Sequence, residues 1–322
     1  MQLAHKNNWL DYPNERKIHT VPIPRVGGIA LVISFIITLA RNLQFSPEVQ
    51  GLLISTFLIV GISILDDIYS VTAWVKLVVQ IIASLIIIGY GYKVTVIPNH
   101  WPFENFIEII ITIIWFVGVT NAINFLDGID GLVTSFGIFC SAIFLILSII
   151  TGQKFLGYII SSLLGVCLGF LWYNWHPAKI FLGDSGSTLI GFVLASVSVV
   201  GFWAEGNLIV AASTPVLILS VPIYDMIYTT ISRIKNGQVK SFKQWIDYVG
   251  KDHIHHRLLS LGFNIKQSVG IIILITFCLG LSTIVMQYLN YKSFGTILLL
   301  IQAVVIFVVI TIIMIAGRKK SV

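Results

Sequence analysis

Four short polar clusters interrupt an otherwise apolar chain, and each contains side chains able to bind cations or phosphates. The clusters read ILDDIYS at 64–70, NAINFLDGIDGL at 121–132, FLGDSGS at 181–187 and DHIHHRLL at 252–259. Carboxylates are ligands for hard divalent cations, whereas histidine and arginine donate hydrogen bonds to phosphate oxygens. The clusters therefore predict a site where a metal ion and a phosphorylated substrate meet.

Three aspartates are the candidates for metal binding and catalysis. Asp66 and Asp67 are adjacent, so on a helix their side chains point about 100° apart and cannot face one ligand in the same way. Neighbouring carboxylates repel each other unless a cation lies between them, and Mg²⁺ is the natural choice because it also bridges substrate phosphates. Asp184 lies between Gly183 and Gly186, just before an apolar run. The alternatives are a solvated helix end for the pair and a simple helix cap for Asp184.

The cluster at 121–132 combines amides, carboxylates and glycines. Asn121 and Asn124 are three residues apart and share a helix face. Glycines in the cluster allow the backbone to turn tightly beside a ligand. Asp127 and Asp130 follow in the turn, although Asp130 could instead cap the next helix. The pattern predicts a polar wall against a bound substrate.

The remaining candidates are basic or aromatic in character. His253, His255, His256 and Arg257 form a dense set of donors suited to pyrophosphate oxygens, with a solvated basic loop as the alternative. Lys17 and Arg25 could contact phosphates or anionic lipid headgroups, and Lys76 could counter the aspartate pair or bind substrate.

Composition places these clusters in a membrane protein. The chain has 322 residues, of which 57% are hydrophobic and only 11% charged, and its mean hydropathy is +0.93. A soluble domain carries roughly a quarter charged residues, and a helix needs about 20 apolar residues to cross a bilayer. Ten apolar runs qualify, at 26–45, 49–65, 74–92, 107–126, 132–151, 156–175, 187–204, 207–231, 268–289 and 294–316. We expect an all-α polytopic protein of about ten transmembrane helices, folded as one domain over 1–322.

The basic residues indicate which side of the membrane each loop faces. With a cytoplasmic N-terminal segment at 1–25 and a long cytoplasmic loop at 232–267, sixteen of the twenty Lys and Arg residues fall on the inside. This bias is typical of cytoplasmic loops. Under this orientation every polar cluster falls on the same face, which predicts one active-site cleft on the cytoplasmic side. Both termini are then cytoplasmic.

In combination and order, these motifs resemble the polyprenyl-phosphate N-acetylhexosamine-1-phosphate transferases. That family moves a sugar-1-phosphate from a UDP-sugar to a membrane polyprenyl phosphate and releases UMP. The resemblance implies catalytic roles for Asp66 and Asp67 and a magnesium-binding role for Asp184. It also implies nucleotide- or sugar-binding roles for Asn121, Asn124, Asp127, Asp130, Asn174, Phe181, His253, His255, His256 and Arg257.

The motif HIHHR, together with PIPRVGG nearer the N-terminus, resembles the sequences of the bacterial branch that uses UDP-GlcNAc. That branch usually has a further apolar helix before its basic entry loop, so we expect ten crossings here rather than eleven. The resemblance implies Mg²⁺ (with Mn²⁺ as a substitute), undecaprenyl phosphate, UDP-GlcNAc and a bacterial inner membrane. A homodimer is one option, and no nucleic acid is expected. UDP-MurNAc-pentapeptide or another UDP-HexNAc is the alternative donor.

A solute transporter is the alternative class of protein. It is disfavoured because transporter sites lie near the bilayer midplane, whereas the polar clusters of this chain lie at helix ends on one face.

Overall fold

The computed structural model describes residues 1–13, 21–42, 46–97, 101–204, 208–248, 250–289 and 294–320. Within these ranges the chain is predominantly helical. The helices are α1 (Gln2–Lys6), α2 (Gly27–Asn42), α3 (Pro47–Tyr69), α4 (Ala73–Gly89), α5 (Glu104–Leu126), α6 (Leu132–Ile150), α7 (Lys154–Asn174), α8 (Gly183–Val200), α9 (Leu208–Ile218), α10 (Ser220–Lys235), α11 (Phe242–Asp247), α12 (Ile254–Ser260), α13 (Ile265–Tyr288) and α14 (Phe294–Lys320). Two short antiparallel strands, β1 (Leu10–Asp11) and β2 (Ile23–Pro24), complete the set.

Each of the ten predicted apolar runs forms a helix or a bent pair of helices. Seven helices are long and apolar enough to cross a bilayer, and the bent pair of α9 and α10 raises the number to eight. The helices α2 and α4 have 16 and 17 residues, which is fewer than the roughly 20 that a perpendicular span requires. The described chain is thus a multi-pass membrane protein with seven or eight spanning candidates, and the number ten remains an expectation.

The run at 207–231 differs most from its prediction as one helix. It breaks after Ile218, and the axes of α9 and α10 are inclined by 77°. Pro222 accounts for the break, because proline has no N–H and its ring collides with the carbonyl four residues earlier in a continuous helix. That carbonyl, of Ile218, accepts a hydrogen bond from the Cys140 thiol at 3.5 Å instead.

Helix α8 lies at the centre of the bundle. Within the most apolar stretch of each helix, 83% of α8 is buried against 17% of α14. The helices α2, α3, α5, α6 and α7 all pack against α8. Small residues permit this crowding: at Gly191 a β-carbon would approach the Thr120 backbone to 3.0 Å. The central helix therefore fixes the first residues of α8, among them Asp184, relative to five neighbours.

The segment before α2 is tied to the segment before α8 by backbone hydrogen bonds. Phe181 donates to the Pro24 carbonyl at 2.8 Å, Gly27 donates to the Phe181 carbonyl at 3.1 Å, and Gly28 donates to the Leu182 carbonyl at 2.8 Å. The contact requires glycine, because a β-carbon on Gly27 would lie 2.3 Å from the Phe181 oxygen. Gly28 is as tightly placed against the backbone of α8. The N-terminal segment is therefore part of the wall around Asp184.

The predicted long loop at 232–267 is partly helical. Helix α10 extends to Lys235, α13 begins at Ile265, and α11 and α12 lie between them. Helix α12 carries the HIHHR motif and packs against α13 and α14.

Candidate active site

An acidic cluster forms where the end of α3 meets the start of α8. Asp67, whose side chain has no exposed surface, accepts hydrogen bonds from the Asp184 backbone N–H at 2.9 Å and the Ser185 backbone N–H at 3.1 Å. The Ser185 hydroxyl donates to the same carboxylate at 2.7 Å. These donors are N–H groups of the first turn of α8, which have no partner within the helix itself. Asp67 therefore anchors the segment that carries Asp184.

Asp66 faces a different set of partners, as expected for an adjacent helical position. Its carboxylate accepts from the Val71 backbone N–H at 2.6 Å and from the Lys76 ammonium at 2.9 Å. The same ammonium donates to Asp184 at 3.0 Å. Lys76 thus stands between two carboxylates that would otherwise repel each other.

Arg25 closes the cluster from the N-terminal segment. Its guanidinium lies 3.5 Å from Asp67 and 3.4 Å from Asp184. Burial lowers the pKa of Arg25, but the charges of Asp184 and Asp67 outweigh it, so the pKa rises above its usual value and the group stays cationic.

A cavity of about 730 Å³ opens beside this cluster. Its lining comprises Asp11, Val21, Ile23, Arg25, Asp127, Gly128, Ile129, Asp130, Asn174, His176, Pro177, Ala178, Phe181, Leu182, Gly183, Asp184, Lys251, His256, Leu259 and Ile265. Six predicted site residues in addition to Arg25 belong to this lining: Asp127, Asp130, Asn174, Phe181, Asp184 and His256. The volume is of the size that small-molecule sites occupy in proteins.

The turn between α5 and α6 forms one wall of the cavity. Gly131, with φ of +75°, adopts the left-handed conformation that lets the chain reverse direction before α6. Burial, followed by the charges of Asp184 and Asp67, raises the pKa of Asp127 to about 8. The Asp127 side chain is therefore largely protonated at neutral pH while the cluster has its present charges.

Asp130, in the same turn, is held by the segment after α7. Its carboxylate lies 2.7 Å from Nδ1 of His176 and accepts from the Ala178 backbone N–H at 3.1 Å. The alternative role of Asp130, as a cap of the next helix, is not what the structure records, because Gly131 precedes α6 and no side chain caps it. His176 was not predicted as a site residue, because the sequence WHPAK around it has no recognisable metal-binding or catalytic spacing.

Asn174 and Phe181, which belong to the end of α7 and the segment before α8, also line the cavity. The Asn174 amide accepts from the Thr134 hydroxyl at 2.8 Å and donates to the Ile180 carbonyl at 3.0 Å. These two bonds fix the loop that leads from α7 to α8. Phe181 lines the cavity and is partly exposed.

Asn121 and Asn124 lie outside the cavity lining. Asn121 exchanges two hydrogen bonds with Gln80, at 2.7 and 3.2 Å, which joins α5 to α4. Asn124 donates to the Ser187 hydroxyl at 2.8 Å, which joins α5 to α8. Their polar groups are satisfied within the bundle, and in this conformation they position the neighbouring helices.

The residues of the HIHHR motif occupy two environments, the cavity lining and the buried interior. His256 lines the cavity, whereas His255 is 1% exposed and packs on Gly128, and neither of its ring nitrogens has a hydrogen-bond partner among the described residues. Burial lowers the pKa of His256 to about 4 and that of His255 well below its usual value, so both rings are neutral. His253 and Arg257 are also buried, and Arg257 donates to the Asp252 carbonyl at 3.2 Å. Lys17 lies outside the described residues.

The donor chemistry of the acidic cluster fits a hard divalent cation. Asp66 and Asp184 supply oxygen ligands, and the Lys76 ammonium between them marks a point where positive charge is stabilised. Among the residues that the structure describes, no three His, Cys, Asp or Glu side chains form a metal-binding group. Magnesium does not require one, because it retains waters and binds through one or two carboxylates together with substrate phosphates.

The chain is similar in sequence to known transferases. The model of glycosyl transferase family 4 matches residues 49–202. A probable undecaprenyl-phosphate N-acetylglucosaminyl 1-phosphate transferase of Bacillus subtilis (strain 168) is 33% identical over 291 residues, covering 89% of this chain and 79% of the relative. A decaprenyl-phosphate N-acetylglucosaminephosphotransferase of Mycobacterium leprae is 30% identical over 355 residues, covering 99% and 86%.

A third relative, a phospho-N-acetylmuramoyl-pentapeptide-transferase of Clostridium botulinum, is 30% identical over 277 residues, covering 80% of each chain. The similarity to all three relatives extends over most of each sequence and is not confined to the motifs. This multi-pass membrane protein therefore belongs to glycosyl transferase family 4.

Proposed function

We propose that this protein transfers GlcNAc-1-phosphate from UDP-GlcNAc to undecaprenyl phosphate, or a similar polyprenyl phosphate, and releases UMP. The observation that carries the proposal is one cavity whose lining includes the aromatic residue Phe181, the acidic residue Asp184 and the histidine His256. The names of the Bacillus subtilis and Mycobacterium leprae relatives describe transferases of this kind.

The proposed reaction is a displacement at phosphorus. An oxygen of the lipid phosphate attacks the phosphorus that bears GlcNAc, the bond from that phosphorus to the bridging oxygen breaks, and the electron pair leaves with UMP. Both reactants are anions, so positioning and charge neutralisation supply most of the catalysis. We favour this direct attack over a covalent intermediate on an aspartate, because Asp67 is occupied by three donors from α8.

Two basic side chains and two carboxylates have defined tasks in this proposal. Arg25 and Lys76 neutralise phosphate oxygens, and both already lie against Asp184. Asp184 and Asp66 would hold Mg²⁺, or Mn²⁺ in its place. When bound, the ion supplies positive charge to the pyrophosphate and improves UMP as a leaving group. Lys76 would turn from the carboxylates toward substrate when the ion is present.

The proposal includes an orientation and a place in a sequence of reactions. The bias of Lys and Arg favours a cytoplasmic cavity and cytoplasmic termini. The ten apolar runs favour ten crossings of the bacterial inner membrane as one domain. A soluble nucleotide sugar would then meet a lipid phosphate at the inner surface. The product, a lipid-linked sugar pyrophosphate, is the first membrane intermediate of cell-envelope glycopolymer assembly, such as O-antigen, common antigen or wall teichoic acid.

A second candidate donor is UDP-MurNAc-pentapeptide, which the name of the Clostridium botulinum relative supports. The experiment is UMP release by the purified protein with undecaprenyl phosphate, Mg²⁺ and one UDP-sugar at a time. We expect release from UDP-GlcNAc that a chelator abolishes. Asp184→Asn should reduce it by more than a hundredfold, while the exposed Asp247→Asn serves as the matched control. Preference for UDP-MurNAc-pentapeptide would reassign the donor, and no UMP from any UDP-sugar would refute the proposed class.

A further inference from the structure

A second cluster of charged residues lies outside the cavity, around the N-terminus of α12. Asp225 on α10 is the charge nearest the middle of a predicted membrane run, and it is 2% exposed. Its carboxylate lies 2.7 Å from Nδ1 of His253 and accepts from the Ile254 backbone N–H at 2.8 Å. Arg233, in the last turn of α10 and 4% exposed, lies 3.3 Å from Nε2 of the same histidine.

The protonation of His253 follows from these partners. A guanidinium can only donate hydrogen bonds, so Nε2 of His253 must accept from Arg233. Nδ1 must then carry the hydrogen and donate to the Asp225 carboxylate. Both ring nitrogens are thus occupied by the protein, and His253 has no nitrogen left for a substrate phosphate.

Arg233 secures the chain immediately before α12. It donates to Asp252 through Nε and a terminal nitrogen, both at 2.7 Å, and its guanidinium lies 4.5 Å from the centre of the Tyr248 ring. Paired bonds of this kind fix an orientation as well as a distance. Together with the bonds of Asp225, they tie two points of α10, about 12 Å apart along its axis, to Asp252 and to the start of α12.

The position of α12 determines what the cavity contains. His256 reaches the cavity lining one turn after His253, and His255 between them packs against Gly128 of the opposing turn. The His255 ring lies 4.2 Å from the His256 ring and 6.1 Å from the His253 ring, measured between centroids. A rotation of α12 at its anchored end would therefore carry His256 away from its place in the cavity.

We infer that Asp225 is a positioning residue for the donor site, acting through His253 and α12 to hold His256 in the cavity. His253, which sequence analysis assigned to the substrate, belongs to this anchor. Asparagine at position 225 cannot replace the carboxylate: its single oxygen can accept from Ile254, but its amide then faces the N–H of His253. This inference rests on the proposed function, since it concerns the same cavity.

The test is a double-mutant cycle on the purified protein, with UDP-GlcNAc and undecaprenyl phosphate each varied in turn. Asp225→Asn should raise KM for UDP-GlcNAc at least tenfold and leave KM for the lipid within threefold. In a His256→Ala background the same substitution should have almost no further effect, because the residue through which it acts is gone. Effects that multiply independently, or a change confined to the lipid KM, would overturn the inference. Asp247→Asn is the matched control.

Two further measurements keep the test independent of folding yield and of the reaction. Arg233→Lys keeps the positive charge but loses the paired bonds to Asp252, and it should raise KM for UDP-GlcNAc in the same selective way even if Asp225→Asn does not fold. Hydrogen exchange over residues 252–262 should accelerate in both variants and not in Asp247→Asn. Unchanged exchange refutes the anchor. If the native protein releases no UMP, the proposed function fails, while exchange still decides whether the anchor exists.

Discussion

Replacement of Asp67 by asparagine should separate structural support from catalysis in the aspartate pair. The Asp67 carboxylate has no exposed surface and accepts three hydrogen bonds, from two backbone N–H groups and one hydroxyl at the start of α8. An amide offers one oxygen, so at least one of these donors loses its partner and the others lose the benefit of a charged acceptor.

The cost can be worked out bond by bond. One buried donor left without a partner costs about 1–3 kcal/mol, and replacing a charged by a neutral acceptor costs about 1 kcal/mol for each of the other two bonds. The free energy of unfolding should therefore fall by about 3–5 kcal/mol. For a chain of this size, this corresponds to a decrease in Tm of roughly 4–7 °C.

The matched variant is Asp66→Asn. The amide oxygen can still accept from Val71, and Lys76 keeps its second partner, Asp184. Its Tm should therefore stay within about 3 °C of the native value, although UMP release should fall strongly in both variants. Thermal unfolding in detergent and UMP release are measured on the same preparations. Equal Tm values for the two variants would refute the supporting role of Asp67 and would return it to the reacting groups.

Three other perturbations test the walls of the cavity. Gly128→Ala should lower UMP release at least tenfold, because the new β-carbon would lie 2.0 Å from Nε2 of the buried His255. Gly270→Ala is the control and should leave UMP release unchanged, because a β-carbon there would meet no other atom within 4 Å. His176→Phe, which removes the ring that contacts Asp130, should raise KM for UDP-GlcNAc about tenfold with little change in Tm; a large fall in Tm instead would make the contact purely structural. The folded pKa of His256, about 4, is below its unfolded value near 6.5, so its burial costs stability as pH falls through that window. His256→Gln should therefore reduce the dependence of Tm on pH between 6.5 and 4, and the dependence that remains comes in part from His255, whose pKa is also lowered by burial.

Hydropathy and motif order predicted much of this architecture. The ten apolar runs all correspond to helices, and the DD pair, the DGID turn and Asp184 converge as predicted for clusters on one face. These features depend on the sequence of polar and apolar segments along the chain, which is directly readable. The number of spans is less accessible, because α2 and α4 are apolar but short.

Contacts between side chains on different helices could not be predicted. The amide of Asn121 meets Gln80 because α4 and α5 are rotated so that these faces oppose each other, and a uniformly apolar helix carries little information about its rotation. The contact of Asp225 with His253 could not be predicted for the same reason, since the partners are 28 residues apart and are separated by the end of α10 and by α11. The bend between α9 and α10 could have been predicted from Pro222, but hydropathy alone extended the predicted helix through it.

The backbone ladder between the segments before α2 and before α8 has a consequence for biosynthesis. Gly27 and Gly28 leave the ribosome about 150 residues before Phe181 and Leu182, to which they are bonded. At 5–20 residues per second, roughly 8–30 s pass before the partners exist. During that interval α2, a short helix, must remain at the membrane with its leading glycines unbonded and Arg25 without the carboxylate of Asp184. Completion of this face therefore belongs to a late stage of synthesis, after five further helices, α3 to α7, have emerged.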